Sequence, residues 1–382
     1  MNMASAKKVL CLRDAETSIN QPLTRQKKVL IAMSGGVDSS VAAYLLKQRG
    51  FDCTGITMKL FTNEDIGAGE AQKCCSLEDA ADARNVAYAM GMPFFVYNFT
   101  QDFKKRVISR FIESYQNGAT PNPCIDCNRY IKFEKLFERA KQLGMDYIAT
   151  GHYAEIEYDA ETGRYFLKKS ADEMKDQSYV LYAMTQEQLS YTLFPLGALN
   201  KSAVRGIARQ QGFVNADKHD SQDICFVRDG SDYAEFIEQY TGRKNEEGDF
   251  VDMQGNVLGR HKGLIRYTIG QRKGLGLSLK RPMYVHSKDT ENNIVTLSED
   301  NGLYSKSLDA SDFNWIACEK INNPIRVKTK IRYNQTEQWS TVTQISNDTV
   351  HIEFDEPQRA IAQGQAAVLY DGDIVVGGGT IL

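Results

Sequence analysis

The chain has 382 residues, more than a single hydrophobic core usually organises, so two or three domains are expected. Hydrophobic residues make up 42% and charged residues 25%, a balance that excludes a disordered chain, and no apolar run reaches the roughly 18 residues of a membrane span. A net charge of −3 excludes a uniformly basic nucleic-acid binder, so any RNA contact needs a local basic face.

Residues 1–27 read as a polar extension without the apolar stretch of a secretory signal, and Asp14 and Glu16 count against a transit peptide. A cytoplasmic, membrane-free monomer is expected. The eight cysteines (Cys11, Cys53, Cys74, Cys75, Cys124, Cys127, Cys225 and Cys318) then read as thiols or ligands, not as a disulfide framework.

Val29 to Met33 is a short apolar strand, followed by a Ser-Gly-Gly turn and a helical stretch from Val37 to Gln48. Cys53 to Met58 reads as the next strand. Ser76 with Asp79 makes a capping pattern, after which Ala83, Val86, Ala87 and Met90 recur at helical spacing. Phe94 to Tyr97 and Tyr147 to Thr150 are further strands. Strands separated by helices in this rhythm predict an α/β fold, a doubly wound parallel sheet over residues 28–222. A glycine-rich mixed segment over 223–299 follows. From Pro324 onward the pattern changes to period two: Val327, Thr329 and Ile331 alternate with basic residues, and Val342 to Ile345, Val350 to Phe354, Ala366 to Tyr370 and Ile374 to Val376 continue it. Closely spaced strands without helices predict a small antiparallel β-barrel over 300–382.

Between the first strand and helix lies Ala32-Met33-Ser34-Gly35-Gly36-Val37-Asp38-Ser39. Its glycines let the backbone approach an anion, and amides at a helix N-terminus supply partial positive charge. Ser34 and Ser39 can donate to phosphate oxygens, and Asp38 is a candidate ligand for Mg2+. There is no Gly-Lys-Ser/Thr ending, so this is not the loop that grips a terminal phosphate. A tight turn that binds nothing is the bland alternative.

Thr120-Pro121-Asn122-Pro123-Cys124-Ile125-Asp126-Cys127-Asn128 places two thiols in a proline-fixed loop before a helix expected to begin near Arg129. A thiol at a helix N-terminus has a depressed pKa, so a reactive thiolate is expected there. Asp223-Ile224-Cys225-Phe226 supplies a third thiol about a hundred residues on, and a mobile loop would have to bring the two regions together. Three readings stay open for these cysteines: structural zinc, which wants four ligands; buried small hydrophobes; and sulfur transfer through a persulfide.

Taken in order, the phosphate loop, Asn-Pro-Cys-x-x-Cys-Asn, Thr150-Gly151-His152-Tyr153-Ala154, Lys175-Asp176-Gln177-Ser178-Tyr179, Ile224-Cys225-Phe226 and Tyr267-Thr268-Ile269-Gly270-Gln271-Arg272-Lys273-Gly274-Leu275-Gly276 resemble the tRNA-specific 2-thiouridylases. These belong to the N-type ATP pyrophosphatases, which cleave ATP between its first two phosphates. The resemblance runs from about Lys28 to the C-terminus. It implies ATP-dependent replacement of the 2-oxygen of a wobble uridine by sulfur. Residues Ala32 to Ser39, with Met58 and Gly151, would bind ATP, and Asn122, Pro123 and Cys124 would lie against the target base. Cys127 would be the nucleophile and Cys225 the persulfide carrier, fed by a sulfur relay protein. His152, Lys175, Asp176, Gln177, Arg332, Tyr333 and Gln365 would contact tRNA, held by the central segment and the barrel.

The pattern is departed from at one position. Many members of that family carry aspartate, the candidate general acid/base, where this chain has Cys124. Asp126 is the nearest substitute. The change also creates a three-thiol set, Cys124, Cys127 and Cys225, which makes a 4Fe-4S cluster the alternative route to the same thiolation. A phosphate-loop synthetase acting on a small molecule, and an RNA-binding module without catalysis, are the other functional readings.

Overall fold

The computed structural model describes residues 25–62, 64–65, 75–218, 224–227 and 232–382, with backbone only for 75–77. Lys28–Ala32 is the centre of a five-stranded parallel sheet. It pairs with Asp52–Lys59 on one side and Tyr147–Ala149 on the other, and Phe94–Asn98 and Thr192–Leu193 form the edges. The strand's side chains alternate between two cores, as pleating requires. Val29 and Ile31 pack with Val41 and Leu46 of helix Val37–Gln48, Val86 of helix Cys75–Ala89 and Val204 of helix Lys201–Gln210. Leu30 and Ala32 face Phe133, Leu136 and Ala140 on the opposite side. The doubly wound parallel sheet is therefore present, its helices covering both faces.

Helix Cys75–Ala89 already includes Ser76, so Ser76 is not its cap. The cysteine loop also differs from expectation. Helical structure begins at Pro123, not near Arg129, and continues to Gln142. Asn122 is the N-cap, its side chain accepting from the Cys124 amide at 3.1 Å, and Pro123 occupies the first helical position, where its missing N–H costs nothing. From Cys127 to Lys135 the helix is widened to i→i+5 bonding, a distortion found mostly at functional sites.

A mixed sheet follows, with Tyr284–Asp289, Ile294–Ser298, Gly248–Val251 and Val257–His261 side by side. The C-terminal strands Tyr304–Trp315, Val350–Arg359, Gln338–Gln344, Ile325–Lys330, Ala366–Asp371 and Ile374–Ile381 pair antiparallel in that order, and the last returns to the first to close a six-stranded barrel. Its interior is Val327, Val342, Ile352, Phe354, Leu369 and neighbours. A hairpin unexpected from sequence, Glu155–Asp159 with Arg164–Lys168, extends the barrel sheet through Ile374. None of the described helices is long and apolar enough to cross a membrane.

Candidate active site

The phosphate loop sits at the C-terminal edge of the parallel sheet, where ligands of such sheets bind. Gly35 has φ +78°, and a Cβ there would lie 2.3 Å from the Asp79 carbonyl oxygen, so only glycine fits under the neighbouring helix. The Ser34 amide donates to Ser39 Oγ at 3.1 Å, and Ser39 Oγ donates to the Gly36 carbonyl at 3.1 Å. Buried Asn215, which sequence did not single out, donates to the Gly35 carbonyl at 2.8 Å and ties it to Ser40 Oγ at 2.9 Å. Gly151 backs the loop: a Cβ there would stand 2.7 Å from the Ser39 amide nitrogen. Met58 is half-buried at the end of its strand, packed against the core that also receives Cys127.

Asp38 is not a free carboxylate facing the loop. Both its oxygens accept from Lys201 Nζ at 2.7 Å, and one also accepts from Tyr153 Oη at 2.7 Å. The expectation that it holds Mg2+ therefore meets a carboxylate already neutralised by an ammonium.

The cysteine loop is clasped by the barrel. The Thr120 amide donates to the Gln363 carbonyl at 2.8 Å, and Gln365 Nε2 donates to the Thr120 carbonyl at 2.6 Å. Gly364, at φ +86°, passes so close that a Cβ would lie 2.9 Å from the Ala119 Cβ. Beyond the loop, Arg129 pairs with both oxygens of Asp312 on the first barrel strand, Nη2 to Oδ1 at 3.0 Å.

Cys127 is only 8% exposed and belongs to a cluster with Phe103, Phe111, Ile131 and Phe226. Phe226 is 1% exposed and packs its ring 5.7 Å from Phe103 and 5.2 Å from Phe111. That anchor carries the adjacent Cys225 to the Cys127 side of the fold, so residues far apart in sequence share one wall. Cys124 and Cys225 are solvent-accessible.

The expected thiolate is not found. Desolvation pushes the Cys127 thiol up to about 11, with the nearby Cys124 and Asp126 adding to the rise. Cys124 and Cys225 are raised by the same cause, and Cys225 is raised further by the other two thiols. A helix N-terminus depresses a thiol only when its charge is solvated or paired; here burial wins. The opposing influence is Lys132, whose charge favours the thiolate of all three cysteines. Sequence reading passed over Lys132, because a lysine within a helix reads as solvated; a widened helix that turns residue 132 onto the cysteine side has no sequence signature.

Lys132 Nζ lies 3.4 Å from His152 Nε2. An ammonium only donates, so Nε2 accepts and the proton sits on Nδ1, which donates to Thr150 Oγ1 at 2.6 Å. His152 is 6% exposed, between the rings of Phe133 and Phe194, and burial holds it well below the ordinary imidazole value, with Lys132 adding to the drop. His152 is thus a buried neutral ring. Asp176 accepts from the amides of Ser170 at 3.0 Å and Ser178 at 3.2 Å, and Gln177 Oε1 accepts from the Tyr153 amide at 3.0 Å. Tyr333 Oη donates to the Asp176 carbonyl at 3.0 Å, and Arg332 donates to the Ala360 carbonyl. Asp176, Gln177, Arg332, Tyr333 and Gln365 are thus each tied to protein backbone, while Lys175 is half-buried on the same segment as Asp176. Asp126, the substitute acid, is turned to Arg110 Nε at 3.4 Å.

A local arginine cluster exists, with Arg110 and Arg129 paired to Asp126 and Asp312. Arg106, Arg110 and Arg129 surround the Tyr130 ring at 5.2, 5.2 and 5.3 Å, one helical turn from Cys127. It was missed because its residues come from two separate helices.

Residues 27–229 match the family model described as tRNA methyl transferase HUP domain, 234–299 the tRNA methyl transferase PRC-barrel domain, and 305–381 the aminomethyltransferase beta-barrel domain. The tRNA-specific 2-thiouridylase MnmA of Clostridioides difficile is 52% identical over 93% of this chain and 98% of that protein. The chain belongs to the tRNA-specific 2-thiouridylase family. The corresponding proteins of Acetivibrio thermocellus (51% identical, 93% of this chain and 99% of theirs) and Symbiobacterium thermophilum (52%, 93% and 92%) agree. For a 2-thiouridylase the alternative cofactor would be a 4Fe-4S cluster on Cys124, Cys127 and Cys225. Among the described residues no three His, Cys, Asp or Glu side chains converge closely enough to hold a metal ion. The thiols neighbour one another without forming a ligand set.

Proposed function

We propose that this chain is an ATP-dependent tRNA-uridine 2-sulfurtransferase working by persulfide transfer. The observation that carries the reading is the shared cluster of Cys127 and Phe226, which brings Cys225 to the Cys127 wall beside Lys132. A uridine 2-oxygen is a poor leaving group, so it is first adenylated by ATP held on residues 32–39 with Met58 and Gly151, releasing pyrophosphate. The terminal sulfur of a Cys225 persulfide attacks C2 and expels AMP. Cys127 sulfur then attacks Cys225 sulfur, breaking the S–S bond. The 2-thiouridine is released and Cys127 and Cys225 are left as a disulfide, so each transfer consumes one persulfide and two electrons of thiol reduction.

Asn122 and Pro123 with Cys124 form the rim that receives a flipped base, a loop uridine being cheaper to unstack than a paired one. The arginine cluster around Tyr130 suits the flanking phosphates, and the segments 223–299 and 300–382 hold the anticodon arm. The donor is a persulfide-carrying relay protein.

The test is anaerobic purification, iron and sulfide analysis, and thiolation of an unmodified tRNA transcript with ATP, Mg2+ and polysulfide. Thiolation by iron-free protein, lost in both Cys127→Ser and Cys225→Ser, is expected. Activity that tracks bound iron would refute the persulfide route.

A further inference from the structure

The Cys127–Cys225 disulfide left after each transfer has to be opened before the next, and the fold holds a third thiol beside it. Cys124 is at the second position of a helix capped by Asn122, and Cys127 follows three residues later on the same helix. This is the spacing of dithiol–disulfide redox pairs, an accessible cysteine at a helix start and a buried one a turn below. The exposures fit: Cys124 is exposed and Cys127 is buried. Residues three apart on a helix have Cβ atoms about 5–6 Å apart, and a disulfide needs about 3.5–4.5 Å. That small closure falls in the first turn, where no preceding turn resists it.

Three further observations bear on Cys124. Its thiol interacts electrostatically with both Cys127 and Cys225, so all three sulfurs lie within one neighbourhood. Asp126, between the two cysteines, is paired with Arg110 at 3.4 Å while its charge still opposes ionisation of Cys127. Lys132 faces all three sulfurs and supports whichever carries the negative charge. The groups around the set are therefore Lys132, neutral His152, Asp126 with Arg110, and Tyr333 beside Cys124.

We propose that Cys124 is the resolving thiol of the catalytic cycle, attacking the Cys127–Cys225 disulfide to form a local Cys124–Cys127 disulfide and free Cys225 for reloading. The inference rests on the persulfide reading above. In the exchange the Cys124 thiolate bonds to Cys127 sulfur while the Cys127–Cys225 bond breaks, and Cys225 leaves as thiolate beside Lys132. One S–S bond forms and one breaks, one thiolate replaces another, and no outside oxidant or reductant enters. The resulting disulfide, at an accessible helix start, is then reduced by a dithiol reductant to close the cycle. In this way the residue that departs from the usual aspartate acquires a function of its own.

The experiment uses the full chain, persulfidated anaerobically with sodium polysulfide, freed of excess reagent, and given ATP, Mg2+ and a tRNA transcript for a single turnover without reductant. The reaction is quenched in acid with N-ethylmaleimide, and its disulfides are mapped by mass spectrometry per thiolated tRNA. The expected result is a Cys124–Cys127 linkage in the unaltered protein, exceeding Cys127–Cys225 by about tenfold or more, equivalent to about 1.4 kcal/mol. In Cys124→Ser, the linkage found per thiolated tRNA becomes Cys127–Cys225. The readout is the partition between linkages, so a slower variant does not obscure it. A persistent Cys127–Cys225 linkage in the unaltered protein overturns the resolving role while leaving persulfide transfer standing. Thiolated tRNA with neither linkage in either protein overturns both.

Discussion

The buried state of Cys127 makes a quantitative prediction about its reactivity with pH. Its thiol is pushed up to about 11, chiefly by desolvation. At pH 8 such a group is thiolate in about one molecule in a thousand, against about one in four for an ordinary cysteine near 8.5. The rarer thiolate is the better nucleophile, by roughly tenfold at a Brønsted coefficient of about 0.4–0.5. Cys127 should therefore react with a small disulfide reagent such as dithiodipyridine about 20-fold more slowly than a free cysteine at pH 8. The sign follows from the neutral form being the buried one: raising pH ionises Cys127, and its rate should climb about tenfold per pH unit from 7 to 10, where a solvated thiol has levelled off. Anaerobic labelling with site-resolved mass spectrometry reads both the slope and the rate. Steric shielding lowers the rate at all pH values alike, so the slope carries the test. A plateau by pH 9 would refute the claim that burial governs this thiol.

Lys132→Met should slow labelling of Cys127 and Cys225 at pH 8 by about tenfold, because an opposite charge nearby lowers an acid's pKa by about one to three, whereas Lys132→Arg should largely restore it. The labelling assay above distinguishes this from misfolding, which would speed labelling. Gly151→Ala places a methyl 2.7 Å from the Ser39 amide nitrogen; ATP–pyrophosphate exchange in the presence of tRNA should fall about 100-fold, the cost of misplacing reacting groups by about 1 Å. Gly364→Ala forces a left-handed φ on alanine and a 2.9 Å contact with Ala119; thermal denaturation should show a loss of about 2 kcal/mol or more.

The parallel sheet was legible because its strands are short apolar runs between helices, a pattern set by burial on both faces. The barrel was legible where strands alternate, as in Ile325–Lys330. Its longest strand, Tyr304–Trp315, was not. Half of that strand is Ser, Asp and Asn, and it is irregular at Ser305/Ser307 and Ser311/Asn314 and bends through Asp312 at φ +50°. Each irregularity shifts the face on which the next residue falls, so the period of two is lost. The motif residues of the site were legible as types, but their environments were not. Asn122-Pro123 read as loop, although an Asn cap and a first-position proline are a helix start. That misplacement made Cys127 a terminal thiol with a low pKa, when it is an interior thiol with a high one. His152, Asp176 and Gln177 were placed at the tRNA by resemblance alone; the structure has His152 buried beside Lys132, and Asp176 and Gln177 accepting from backbone amides.

One positive charge facing three thiols restricts what the site can do. Each thiolate raises the pKa of its neighbours, since Cys127 and Cys124 both oppose ionisation of Cys225. Lys132 is the one cation acting on all three among the described residues. A second thiolate would lack a counter-charge in a desolvated wall, where an unpaired charge is costly. Ionisation of one thiol therefore disfavours ionisation of its neighbours. A bound metal would bring its own positive charge, so this balance concerns thiolates in the metal-free site. Thiol–disulfide exchange needs one, and hands it from sulfur to sulfur at constant charge. That suits the sequential exchange proposed above, in which Cys225, Cys127 and Cys124 would take the thiolate in turn.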